Sequence, residues 1–184
     1  MNTTTKKLLI FFGVPAVAFC IIAVSFLVFM AHLLSTADNR ADKREIFHYV
    51  TENQKAIEAS VLDFMSAPHE DIKNEIKELN IPFFSGIKSI SLSEEKFGKQ
   101  VITFYCGGYG IGSATGYTGF KYTLFDDAII ENKAAGYADL SSLGYSGRKF
   151  IPRGNGWHWK EGDGDNTVYI ENIIGNFYYY REDY

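Results

Sequence analysis

Between Leu8 and Ala31 the chain runs for 24 residues without one charged side chain. A helix of that length, at about 1.5 Å per residue, reaches roughly 36 Å, more than the ~30 Å hydrocarbon core of a bilayer. Lipid offers no partner for a backbone N–H or C=O, so a chain that crosses it this way must be helical. The alternative, a buried helix of a soluble core, fails on this length and on the all-round apolar character of the run. Pro15 lies one turn inside, where a kink is tolerable, and Ser25 can bond back to its own helix. The run predicts a transmembrane signal-anchor helix over residues 8–34, preceded by a cytoplasmic tail at 1–7. Ser35-Thr36-Ala37 fits a small-x-small cleavage site. A cleavable signal, however, has an apolar centre of only about 7–15 residues, so retention is expected. Cys20 follows the bulky Phe19, which argues against lipidation there.

Positive charge near the span is close to balanced: Lys6 and Lys7 before it, Arg40, Lys43 and Arg44 after it. With the two lysines retained in the cytosol, the folded part is expected outside, which makes the protein single-pass and extracytoplasmic.

Apart from Lys6 and Lys7, the charged residues all follow the apolar run: 16 basic against 22 acidic side chains, a net charge of −6. That balance argues against nucleic acid and against docking on an anionic lipid face, since both reward positive patches. One cysteine, Cys106, lies in this part, so no disulfide framework is expected. All 12 tyrosines fall here too.

From Arg40 to Met65 the pattern is helical, with Ile46, Val50, Ile57, Val61 and Met65 on one stripe. Asn53 and Gln54 interrupt it, so a coiled coil is not expected. Residues 35–66 read as a juxtamembrane amphipathic helix that continues from the membrane and lies on the domain formed by 67–184. Ser66, Pro68, Glu70 and Asp71 suit the start of a second helix. Its buried face would be Ile72, Ile76 and Leu79, and it would end at Asn80 before Pro82.

Beyond Pro82 the chain reads as β. Strands are predicted at Gly86–Leu92, Gln100–Cys106, Tyr117–Phe125, Gly156–Glu161, Thr167–Asn172 and Phe177–Arg181. Gly162-Asp163-Gly164-Asp165-Asn166 is a hairpin turn signal. Glu131 to Pro152 is a loop or irregular excursion. The expected fold class is α+β: an N-terminal transmembrane helix, then two helices packed on one face of an antiparallel sheet of about five or six strands.

Several segments could carry chemistry. The glycine-rich stretch Gly107–Gly116 follows a strand and could let backbone N–H groups approach a phosphate. A dinucleotide fingerprint must open a helix, though, and no Gly-Lys-Ser/Thr ending follows, so a long hairpin loop is expected instead. Asp163, Asp165 and Glu171 resemble part of a calcium loop. Counting from Asp163 puts Val168 at the sixth place and Ile174 at the twelfth, where glycine and glutamate are needed. Gly144-Tyr145-Ser146-Gly147 lacks the last glycine of a nucleophile elbow. No metal and no cofactor is therefore expected.

Cys106 and His158 could form a thiolate–imidazole pair, making a small hydrolase or transferase the alternative function. Against that stand a strand-ending cysteine that suits a buried site and a histidine alternating with Trp157 and Trp159. The aromatic clusters are the most unusual feature. Alternation predicts Phe177 and Tyr179 buried together, with Tyr178 and Tyr180 more exposed. Tyr and Trp supply large contact area at small entropic cost. Candidate binding residues are therefore Tyr109, Tyr117, Trp157, Trp159, Tyr178 and Tyr180. Aromatic pairing across a sheet would account for the same residues. The function expected is a membrane-anchored, extracytoplasmic protein-interaction module of the inhibitor, immunity or assembly-accessory type. Its partners would be the bilayer, through residues 8–34, and a protein.

Overall fold

The computed structural model describes residues 22–28, 40–66, 79–95, 99–111, 114–125 and 128–184. The chain divides into two compact units, Met1–Asp38 and Asn39–Tyr184. Within the first, residues 22–28 are helical, with Ile22, Val24, Phe26, Leu27 and Val28 exposed. The remainder of the expected span over 8–34 lies outside the described residues. Among the described residues no helix is long and apolar enough to cross a membrane.

The second unit is α+β. Helix α1, Lys43–Ser66, buries Ile46, Tyr49, Val50, Ile57 and Val61: Tyr49 joins the expected stripe, and Met65 at its end is only partly buried. The carboxylate of Asp42 accepts the Arg44 N–H at 2.6 Å, satisfying one of the donors that a first helical turn leaves without partners. Residues 67–78, the body of the expected second helix, lie outside the described residues. Leu79 and Ile81 beyond them pack on the core beside α1.

Nine strands follow among the described residues: β1 Ser89–Glu95, β2 Lys99–Ile111, β3 Ala114–Thr123, β4 Ile130–Asn132, β5 Tyr137–Asp139, β6 Ile151–Arg153, β7 Gly156–Lys160, β8 Thr167–Ile174 and β9 Phe177–Asp183. Seven form one antiparallel sheet in the order β1-β2-β3-β9-β8-β7-β6. It consists of two meanders, β1–β3 and β6–β9, sewn together where β3 pairs β9, Phe120 opposite Tyr179. All six expected strands are present, and the Glu161–Asn166 turn closes β7 on β8 as its Gly and Asp residues predict. The sheet gains β6 at one edge.

The stretch from Gly107 to Gly116 is not the expected long loop. β2 continues to Ile111 and β3 begins at Ala114, and the two pair as a ladder, Gly108 opposite Tyr117 and Tyr109 opposite Gly116. Glycine is needed for close approach rather than for looping. A Cβ on Gly108 would lie 2.3 Å from the Gly116 carbonyl oxygen, and one on Gly119 would lie 2.0 Å from that of Phe104. A bulge between Tyr105 and Gly108 is absorbed by Gly107 at φ 109°.

Both faces of the sheet are covered. On one, α1 packs over Ile102, Phe104, Phe120, Tyr122, Phe177 and Tyr179. Phe104 and Phe120 stack there with centroids 4.3 Å apart. On the other, the excursion from Ala128 to Phe150 builds a second core: Ala138, Leu140, Leu143, Tyr145 and Phe150 pack on Val168, Ile170, Tyr178 and Tyr180. The excursion carries the β4–β5 hairpin and a short 3₁₀ turn, Ser141–Leu143. This overturns the expected exposure of Tyr178 and Tyr180, which are 5% and 3% exposed, as buried as Tyr179 at 5%. Alternation holds along Phe177–Tyr180, but each face meets its own core.

Candidate functional site

A cleft of about 440 Å³ opens on the α1 side of the sheet, lined by Lys43, Arg153, His158, Thr167, Tyr169, Tyr179, Arg181 and Asp183. Register brings these residues together from five elements. His158 is opposite Tyr169, Tyr169 is opposite Arg181, and Thr167 is opposite Asp183. Directly opposed residues project to one face of an antiparallel pair, so this row is shared. Ile151 faces His158, which puts Arg153, two residues on along β6, on the same side. α1 contributes Lys43 from its first turn.

The floor is aromatic. Gly156 leaves room for it: a Cβ there would meet the Tyr169 ring and hydroxyl at 2.9 Å and the Ile170 carbonyl oxygen at 2.3 Å. Tyr169 and Tyr179 meet edge to face, centroids 6.4 Å apart. Lys43 Nζ stands over three rings, 5.1 Å from Phe47, 5.2 Å from Tyr169 and 5.4 Å from Tyr179.

Charge in the cleft is uneven. Glu171, just behind the floor, is 6% exposed and is held by two donors, Lys43 Nζ and the Tyr169 hydroxyl. Asp183 accepts from Arg181 Nε at 2.8 Å and lies 3.6 Å from Arg40. Arg153 has no hydrogen-bond or ion-pair partner among the described residues, and neither has the imidazole of His158. Burial, Arg153 and Lys160 in that order hold the His158 pKa below its usual value. Burial and the bond to Glu171 push that of Tyr169 up. A surplus of positive charge therefore sits on an aromatic floor, in a chain whose net charge is −4. Such a site suits an anion with an apolar or aromatic body.

The residues singled out from sequence are dispersed. Tyr109 lies on β2 over Gly116, donates to Asp183 at 3.3 Å and carries the Arg40 guanidinium 4.5 Å above its ring. Tyr117 is on the opposite face and 39% exposed, between Tyr105 and Tyr184 at centroid distances of 5.9 and 6.3 Å. Trp157 and Trp159 pack against the second core, with Arg148 4.3 Å above the Trp159 ring. Tyr178 and Tyr180 are inside that core. Of the residues considered for catalysis, His158 lines the cleft and Cys106 does not. The strand order puts β2 and β7 four ladder steps apart, about 19 Å, so the thiol and the imidazole do not form a pair. Cys106 is fully buried, and burial, only partly offset by Lys88, pushes its thiol up to about 12.

Asp163 and Asp165 belong to the β7–β8 turn while Glu171 serves Lys43, which accounts for the calcium-like spacing. No group of three or more ligating side chains that could hold a metal occurs among the described residues. Lys43, Arg153, Thr167, Tyr169, Tyr179, Arg181 and Asp183 carry no local motif; strand register and the packing of α1 on the sheet make them neighbours. No family model, curated protein or solved structure matches the chain.

Proposed function

We propose that this chain is a membrane-anchored, extracytoplasmic protein-interaction module that recognises its partner through the α1-side cleft. The observation that carries the reading is the cleft itself: Arg153 and His158, without partners among the described residues, beside an aromatic floor. Its side chains are suited to holding a group, and Cys106, the thiol considered for catalysis, does not line it. Anchoring is supported by the apolar run from Leu8 to Ala31 and by residues 22–28, whose exposed Ile22 and Phe26 are costly in water and suit lipid. Lys6 and Lys7 favour the side of the membrane that leaves the domain outside.

Two measurements test this. Protease added to intact cells should digest the domain; its survival until the membrane is permeabilised reverses the orientation. A photo-crosslinking side chain at position 151, exposed beside the cleft, should give a discrete protein adduct that the same group at position 133, on the β4–β5 turn, does not. Equal, diffuse labelling from both positions removes the cleft as the recognition surface.

A further inference from the structure

We infer that the α1-side cleft is a carboxylate-binding site: Arg153 grips the carboxylate and Tyr169 and Tyr179 accept the apolar or aromatic body that carries it. The inference rests on the reading of this cleft as a recognition site and narrows what it recognises.

The charges argue for one carboxylate. Lys43 is committed to Glu171, and Arg181 to Asp183. Of Lys43, Arg153 and Arg181, which line the cleft, Arg153 has no counter-charge among the described residues, so the site has room for about one negative charge. Arginine's planar fork matches a carboxylate with two parallel hydrogen bonds, which the point charge of a lysine does not. A phosphate dianion would meet Glu171 and Asp183 as like charges with a single free cation to offset them.

The walls argue for the ligand's body. Tyr169 lies across Gly156, lines the cleft and meets Tyr179 at an interplanar angle of 61°. A flat or branched apolar group resting there covers the half-buried Tyr169 ring and the small part of Tyr179 that lines the cleft. Thr167 offers a hydroxyl with no other hydrogen bond among the described residues, and His158 an imidazole nitrogen, either of which can take the second carboxylate oxygen. At about 440 Å³ the cleft suits one aromatic acid or the end of a peptide, not a folded surface.

The carboxylate can come from a free small acid or from the C-terminus of a partner chain, and the experiment separates them. Full-length protein in detergent micelles is titrated calorimetrically with benzoate, methyl benzoate, inorganic phosphate, and a short peptide ending in Phe as free acid or as amide. Saturable binding of benzoate, absent with methyl benzoate and weakened at least tenfold by Arg153→Gln, is the expected result. Tighter binding of the free-acid peptide, lost on amidation, assigns the site to a partner's chain end. Benzoate binding equal to or tighter than the peptide's assigns it to a small acid. Phosphate binding more tightly than benzoate, or benzoate binding unchanged in Arg153→Gln, overturns the inference. So does the absence of saturable binding by either carboxylate. Far-UV circular dichroism of the variant checks that it is folded, and His158→Gln gives a second, independent loss. If Arg153→Gln leaves the position-151 crosslink intact, the module reading stands without the carboxylate; carboxylate binding without any crosslink leaves the reverse.

Discussion

The ammonium of Lys43, in the first turn of α1, sits 2.5 Å from Oε2 of Glu171 on β8, 128 positions along the chain. The pair ties the start of the helix to the centre of the sheet. Glu171 is nearly inaccessible, whereas the Lys43 side chain is 42% exposed. Removing the lysine leaves a buried carboxylate with only Tyr169 to serve it. Losing one partner of a fully buried pair costs about 3–5 kcal/mol, and the exposure of Lys43 screens this to about 2. Lys43→Met should therefore destabilise by about 2 kcal/mol in chemical denaturation, and Lys43→Met with Glu171→Gln should recover about half of that. A Lys43→Met protein as stable as the parent means that the apolar stripe of α1 holds the helix unaided.

Truncations along Phe177–Tyr180 should be costly on both faces. Phe177→Ala is expected to lose about 3–5 kcal/mol, and Tyr178→Ala and Tyr180→Ala about 3 each, because each empties a packed core. Chemical denaturation decides it: mild effects at 178 and 180 would mean that the Ala128–Phe150 excursion does not close over them.

Gly119→Ala should also destabilise, by about 3 kcal/mol, although it adds one methyl group. That methyl would face the Phe104 carbonyl at 2.0 Å and the Tyr180 ring at 2.9 Å, and backbone cannot yield as a flexible side chain does. A neutral result in the same denaturation assay would show that β2 and β3 can part there.

Cys106 should resist alkylation by iodoacetamide at neutral pH until the domain unfolds, since burial raises its thiol to about 12 and seals it from solvent. Cys106→Ser should cost about 1 kcal/mol, the price of a hydroxyl in an apolar site. Rapid, selective labelling of the folded protein would contradict this.

Alkaline pH should unfold the domain. Burial raises Tyr49 to about 12, and burial together with Glu58 raises Tyr122 to about 12, from the usual 10. A folded-state pKa above the unfolded one means that the fold prefers the protonated phenol. The associated stability is complete below pH 10 and is lost between about 10 and 12. Phenolate absorbance should rise together with loss of structure in that window, and Tyr122→Phe should weaken the coupling. Titration of these tyrosines with the fold intact would contradict it.

What the sequence determined by itself is local and periodic. The spacing of Ile46, Val50, Ile57 and Val61 is enough to lay α1 on a core, because helical periodicity and burial are set within a few turns. Turn chemistry at 162–166 and strand composition located six strands for the same reason. The phase of Phe177–Tyr180 was also legible, yet the exposure of Tyr178 and Tyr180 was not. What covers the far face is the stretch from Ala128 to Phe150, and its cover is a long-range packing event with no period of its own. The glycines from 107 to 116 read as a loop because a missing side chain looks alike in a turn and in a crowded ladder; only the neighbouring strand shows which it is. The cleft belongs wholly to tertiary structure. Arg153, His158, Tyr169 and Arg181 are scattered over β6 to β9, and antiparallel register sets the last three in one row, with Arg153 on the same face of the edge strand.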